Sequence, residues 1–378
     1  MIPFNRPHLP ARALDYVAEA FRLGKISGDG VFSKRCEAFF EARHLGHRAL
    51  MTTSCTDALE LAGLLCQIQP GDEVILPSFT FPSTANAFAL RGARLVFVDS
   101  LPDHPNIDPL RVAEQVTDRT RIIAPVHYAG VAVDMDPILD IATSIGAFVV
   151  EDAAQAVDAT YRDRALGTLG DFGAFSFHET KNAHCGEGGL LLVRDAAHAP
   201  RAEILREKGT NRSAFFRGET DKYGWVDVGS SFLPSDILAA VLWAQLEILP
   251  EISARRRYRW NRYVQLLEPL VRAGWLVLPE IPDFAGHNGH CLYVVLNELG
   301  TRTRLIEDLR AQGILAVFHY QSLHASPYFA DKHDGRPLPN ADRFSDCLLR
   351  LPLFHDLQDA EQDAVVNAVG AFFGMRLS

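Results

Sequence analysis

The chain has 378 residues, 48% of them hydrophobic, and a formal charge of −10. That length exceeds what a single core usually fills, so a large domain with a smaller companion is expected, and the apolar share leaves no long segment to disorder. The acidic balance excludes non-specific binding to nucleic acid or to an anionic membrane surface, which both need a basic field, so any phosphate-bearing ligand must be held by local donors.

The first residues, MIPFNRPHLPARAL, mix arginine and proline without a continuous apolar run, and no later stretch reaches spanning length. Six cysteines (Cys36, Cys55, Cys66, Cys185, Cys291, Cys347) are scattered without CxxC pairs, which fits free thiols in a reducing compartment. A soluble, cytoplasmic protein is expected.

Between about residues 55 and 195, short apolar runs alternate with helical patterns. EVILP, RLVFV, RIIAPV, AFVVE, GAFSF and GLLLV read as strands, and CTDALELAGLLCQ, STANAFALRG and DMDPILDIATSIG as helices. Alternation of this kind predicts an α/β fold with a mostly parallel sheet between helices. GAFSF and GLLLV lie too close for a helical crossover, so a hairpin or loop must join them. PSDILAAVLWAQLEIL and EISARRRYRWNRYVQLLEPLVRAG then read as helices, the second with a basic face taken as solvated. CLYVVLNE, TRTRLIEDLRAQG and ILAVFHY form an α+β pattern suited to a smaller C-terminal domain.

Four segments carry candidate chemistry. In MTTSCTDALELAG, hydroxyls at Thr52, Thr53, Ser54 and Thr56 precede a helical run; one explains an ordinary N-cap, and several with free amides make a phosphate seat. In PSFTFPSTANAF, Phe79 and Phe81 follow a strand, where a ring packs in the core or stacks on a flat cofactor. In VVEDAAQAV, Asp152 ends a buried strand, where open α/β sheets place ligands. Asp152 and Gln155 also resemble a capping box, and the two readings stay open. In AFSFHETKNAHCGEGG, Lys181 lies between a buried strand and three glycines. Phosphate seat, stacking ring, strand-end acid and lysine are the four contacts that pyridoxal phosphate needs.

With IPFNRP, SGDG, PGDEVILPSFTF, PVHYAGV, VVEDAAQ, FSFHETKN, GEGG, REKGTNRS, AVFHY and RLPLF, the chain resembles the DegT/DnrJ/EryC1/StrS sugar aminotransferases over nearly its full length. The resemblance implies a type I fold of pyridoxal phosphate enzymes, with a large cofactor-binding domain over residues 12–250 and a small domain over 251–378 joined by 1–11. It makes Lys181 the Schiff-base lysine, Asp152 the partner of the pyridinium nitrogen and Gln155 a neighbour of the cofactor ring or of its phenolic oxygen. Phe81 would stack on that ring, Ser54, Cys55, Thr56 and Ser176 would hold the phosphate, and His178 would line the site near the lysine.

The implied reaction moves an amino group from L-glutamate to C4 of a nucleotide-linked 4-keto-6-deoxy sugar, with a galactose-like product preferred and a glucose-like product or a 3-keto acceptor as the alternatives. His319 and Tyr320 of AVFHY, with Arg212 and Arg217 of REKGTNRSAFFRG, would meet the sugar nucleotide. A homodimer with shared active sites is implied, in which a GYNY-like segment reaches the neighbour's phosphate; here it reads GSSF, with Ser231 at that place. A second departure is Ser322 in QSLH, where the family has PLH.

A related dehydratase keeps the cofactor but carries histidine for the lysine, against Lys181, and a non-catalytic protein on the same fold would not need the full set. His287 and His290 have HxxH spacing but no ligand partners in sequence, so no metal is expected. Cys185 reads as a small loop residue rather than a nucleophile.

Overall fold

The computed structural model describes residues 1–377. Its centre is a seven-stranded sheet in the order Arg48–Thr52, Gly189–Val193, Phe172–Ser176, Phe148–Asp152, Thr120–Ile123, Glu73–Pro77, Arg94–Val98. Every neighbouring pair from Phe172–Ser176 to Arg94–Val98 is parallel, whereas Gly189–Val193 runs antiparallel to both its neighbours. The strands expected from sequence are present, joined as expected by a loop between residues 176 and 189. The edge strand Arg48–Thr52 was not anticipated, because RALMT is short and runs straight into the hydroxyl cluster.

Strand residues are buried on both sides, as a sheet covered by helices requires. Val74, Leu76, Val150 and Leu191 pack into one apolar layer, and Ile75, Val149, Leu190 and Leu192 into the other. The first layer receives the helix Cys55–Leu65, the second the face of Asp236–Glu247 that carries Leu242 and Leu246.

A second sheet, in the order Leu276–Val277, Tyr293–Leu296, Leu348–Arg350, Val317–Phe318, is antiparallel throughout. With the helices Leu249–Arg272, Leu299–Ala311 and Asp359–Phe372 it encloses a core of its own around Tyr263, Leu292, Leu305 and Val365. The N-terminal residues join this part of the molecule, since Ile2 donates to Gly313 O and accepts from Leu315 N. Among the described residues no single helix is long and apolar enough to cross a membrane.

The long helix corrects one sequence reading. Arg256 and Arg259 are 3% exposed, so part of the basic face points inward rather than into solvent. Arg256 gives its hydrogen bonds to the carbonyls of Gly289, His290 and Leu353, which ties the helix to the loop before Tyr293–Leu296.

Candidate active site

Asp152 ends the strand Phe148–Asp152 in the middle of the large sheet, and it is 5% exposed. Its Oδ1 accepts from the Ala154 amide at 3.0 Å and its Oδ2 from Thr84 Oγ1 at 2.6 Å. No helix begins there: residues 153–158 form turns, so the capping reading fails. Gln155 is committed elsewhere, its Oε1 accepting from Ala129 N at 2.6 Å and its Nε2 donating to Tyr320 Oη at 3.0 Å. Ala129 has φ 59°, a left-handed backbone that costs a non-glycine residue energy, and this hydrogen bond helps to hold it.

The neighbouring Glu151 anchors the strand end from the opposite face. It is fully buried and accepts from His127 Nε2 at 2.9 Å and from the amides of Gly167, Leu169 and Gly170 at 2.6–2.7 Å. Burial pushes this carboxyl up, but the His127 contact and the amides outweigh it and leave the group below its ordinary range.

Lys181 sits on the loop that leaves the adjacent strand Phe172–Ser176. The loop is closed by Phe177 N to Gly188 O at 2.8 Å, Cys185 N to Phe177 O at 2.9 Å and Lys181 N to His178 O at 2.9 Å. Asn182 pins it from behind, donating to Asn288 O and pairing with His290 Nδ1. Burial lowers the Lys181 ammonium below the usual lysine value, against the opposing pull of Cys55 and Asp152 and with a further push from the Arg350 charge. An amine so placed loses its proton more readily than a solvated one.

The third component is the N-terminus of Cys55–Leu65, where Ser54 caps the helix by accepting from Asp57 N at 3.1 Å. The first amides of this 11-residue helix have no intrahelical acceptor, and with the helix dipole they favour an anion. Gly189 makes the placement possible: a Cβ there would lie 2.3 Å from the Ser54 carbonyl carbon and 2.5 Å from Cys55 N. Only a residue without a side chain lets the strand bring this helix start beside Lys181.

These groups line one cavity of about 620 Å³, within the range of small-molecule sites. Of the residues expected from sequence, Ser54, Cys55, Thr56, Phe81, Asp152, Gln155, Ser176, His178, Lys181, His319 and Tyr320 are all on its wall. Phe81 is 55% exposed and its ring lies 5.9 Å from that of Tyr320, whereas Phe79 is a core residue against Tyr128.

Three expected residues are not on that wall. Arg212 and Arg217 are exposed and paired with carboxylates of their own chain, Arg212 with Glu207 and Arg217 with Glu203 and Glu219. Ser231 is also exposed and pairs by backbone with Glu207. Ser322 is buried behind the wall, with its amide donating to Ser345 Oγ.

The HxxH histidines part company: His287 packs 4.4 Å from Trp260, while His290 enters the cavity bonded to Asn182. Cys185 is buried, its thiol donates to Glu187 O and burial raises it to about 12, so it is no thiolate nucleophile. Sequence reasoning missed Thr84, Arg256, His290 and Arg350 as cavity or supporting residues. The arginine of RLPLF was visible as a motif, but nothing local told that it lines the same cavity as Lys181.

The donor set fits pyridoxal phosphate: an anion seat at a helix start, a carboxylate fixed by two donors, a half-exposed ring and an amine of lowered basicity surround one space. The family model of the DegT/DnrJ/EryC1/StrS aminotransferases matches residues 7–370. The chain belongs to that family. It is a pyridoxal phosphate-dependent sugar aminotransferase of type I fold.

It is 34% identical to the spore coat polysaccharide biosynthesis protein SpsC of Bacillus subtilis (strain 168), over 97% of this chain and 96% of that one. Among solved structures it is similar to the aminotransferase TlmJ from Streptoalloteichus hindustanus, with TM-score 0.91 and 33% identity over 99% of both chains. It is also similar to Spr1654 from Streptococcus pneumoniae in its PMP form, with TM-score 0.90 and 25% identity over 98% of this chain and 99% of that one. Spr1654 has been solved in a PLP form too.

Proposed function

We propose that this aminotransferase moves the amino group of L-glutamate to C4 of dTDP-4-keto-6-deoxyglucose and releases dTDP-4-amino-4,6-dideoxygalactose. The observation that carries the reading is the meeting of Lys181, Asp152 and the Ser54–Thr56 helix start in one cavity. The choice of C4 and of the galactose configuration rests on FSFHETKN, REKGTNRS and AVFHY, three separate segments that resemble a 4-keto sugar aminotransferase.

When bound, pyridoxal phosphate supplies a carbonyl for the amine and a protonated ring that accepts the electron pair left at the donor α-carbon. Asp152 keeps the ring nitrogen protonated by ion pairing, and Thr84 and Ala154 fix the direction of its oxygens. Ser54, the amides of Cys55 and Thr56, and Ser176 would hold the phosphate. Phe81 would stack on the ring, and Gln155 holds Tyr320 by donating its Nε2 to the phenol oxygen.

Lys181 would hold the cofactor at rest, and its Nζ, once free, would take the proton from the donor α-carbon and give it up again as the half-reaction ends. Low basicity serves this role, because the displaced lysine must be free of its proton to accept one. The same residues act on donor and acceptor in turn, so ping-pong kinetics follow.

The site is completed in a homodimer on this reading. The segment before Ser231 exposes Phe216, Tyr223, Trp225, Val226 and Val228, an apolar surface that supports burial against a second copy. The two parts of the chain would then be a cofactor domain over residues 12–250 and a small domain built from the remainder. The test is to incubate the purified enzyme with glutamate and a panel of nucleotide keto sugars and to identify the product by NMR. A 4-amino-4,6-dideoxygalactose product supports the reading, and transfer to a 3-keto sugar alone sinks it.

A further inference from the structure

His8 of the N-terminal segment meets His355 and Asp356 of the loop between the strand Leu348–Arg350 and the helix Asp359–Phe372. His8 Nδ1 lies 3.0 Å from Asp356 Oδ2, and His355 Nε2 lies 3.9 Å from Asp356 Oδ1. The two imidazole rings are 4.1 Å apart between centroids, and one ligand atom from each of the three residues falls within 4.8 Å of the others. A hydrogen bond answers for His8 and Asp356, but not for His355. That residue is 6% exposed, its Nδ1 is shut off from solvent without a partner, and its Nε2 is too far from the carboxylate for a hydrogen bond.

A buried imidazole with an unused lone pair, beside a second imidazole and a carboxylate, is a ligand set for a cation. Zinc bonds imidazole nitrogen and carboxylate oxygen at about 2.0–2.2 Å, so neighbouring ligand atoms of a tetrahedral site stand about 3.3 Å apart. The two spacings to Asp356 straddle that value, and Asp356, the most exposed of the three, closes the difference by a turn of its side chain. The backbone at each position is fixed by bonds that leave the ligand atoms free. The His8 carbonyl accepts from His184 Nε2 at 2.9 Å and from Gln245 Nε2 at 2.6 Å. The His355 carbonyl accepts from Arg255 Nε at 2.9 Å, and the Asp356 carbonyl from Gln358 Nε2 at 2.7 Å. Ligands held in this way need little reordering to bind.

We propose that His8, His355 and Asp356 bind a divalent cation of the zinc class, with water completing the coordination, and that this cation clamps the N-terminal residues to the loop at 351–357. Imidazole and carboxylate together suit zinc, whereas magnesium and calcium prefer oxygen donors alone. None of the three residues lines the cofactor cavity, so the cation is structural and takes no part in amino transfer. Its position still bears on the site. Phe4 and Asn5, just before His8, are on the cavity wall, and Asn5 Nδ2 donates to Glu179 O at 3.1 Å on the loop that carries Lys181. The pair with metal-like spacing in sequence, His287 and His290, is not part of the cluster.

The experiment titrates holoenzyme, first stripped with EDTA, with zinc in competition with a chromogenic chelator, and counts bound metal by elemental mass spectrometry. One zinc per chain is expected in wild type. Its affinity should fall by at least about tenfold in Asp356→Asn and in His8→Gln, because even the outer partners of a metal site are worth ten- to a hundredfold. Both side chains are partly open to solvent, and circular dichroism checks that the variants keep their fold. A large excess of magnesium should not displace the zinc. Hydrogen exchange in residues 1–11 should slow when zinc is added to wild type and stay unchanged in the variants. No zinc on wild type, zinc held equally by either variant, or displacement by magnesium would overturn the site. Zinc bound there without slower exchange in residues 1–11 would overturn the clamp.

Discussion

Thr84 Oγ1 donates to Asp152 Oδ2 at 2.6 Å, so the first turn of the helix Pro82–Ala89 aims the acid at the end of the strand Phe148–Asp152. Thr84 is itself buried and held at 3.0 Å from Thr80 Oγ1. Replacing it with valine keeps the shape and removes the donor. Thr84→Val should lower kcat by about ten- to a hundredfold, the value of a hydrogen bond to a charged group, while Thr84→Ser restores most of it. Asp152→Asn should be far worse in rate than in cofactor retention, because an amide cannot hold the ring nitrogen protonated. Steady-state kinetics with a cofactor-binding titration checks both.

Glu151 makes the fold sensitive to acid. Its carboxyl lies below the ordinary range in the folded protein, so its contribution is full above the unfolded value and is lost as pH falls through the folded one. Glu151→Gln turns an amide donor toward backbone N–H groups that need an acceptor. A loss of about 3 kcal/mol is expected, typical for breaking a buried charged network, and it should shrink in strong acid, where the wild type loses the same charge. Urea unfolding at several pH values reads this directly.

Much of this was legible in the sequence for a physical reason. Glu73–Pro77, Arg94–Val98 and Gly189–Val193 are buried on both faces, so each appears as a continuous apolar run bounded by turn residues. Asp152 ends such an element and Lys181 stands just past one, while Ser54 precedes a legible helix, so local pattern and ligand position coincide. Thr84, His290 and Arg350 were not legible, because their part depends on contacts such as Thr84 to Asp152, 68 residues apart, and Asn182 to His290, 108 apart. Arg256 misled for the same reason: a run of arginines on a helix looks solvated until the loop that covers it is seen.

If Ser231 reaches the phosphate bound by a second copy, Ser231→Ala should raise the cofactor dissociation constant by about three- to tenfold. The enzyme should also be a dimer at assay concentration. Light scattering and a spectroscopic cofactor titration check the two parts separately. Full activity from a monomer would refute the shared site, and unchanged affinity would put Ser231 out of reach.

The acceptor is tested by offering dTDP-4-keto-6-deoxyglucose and its 3-keto isomer separately, each with glutamate. Conversion of the 4-keto compound to an axial C4 amine is expected. An equatorial amine would mean that the sugar presents its other face to Lys181, and conversion of the 3-keto isomer alone would move the reaction to C3 while leaving the aminotransferase in place.

The central claim is that the amine of Lys181 is the one that carries the cofactor and moves the proton. Borohydride reduction of the holoenzyme fixes the bond between the cofactor carbon and its lysine, and peptide mapping by mass spectrometry then locates the modified residue. The account predicts the label on Lys181 alone, and no turnover from Lys181→Ala even where that variant still holds cofactor through its phosphate and ring contacts. Label on another lysine, or steady activity without Lys181, would contradict it.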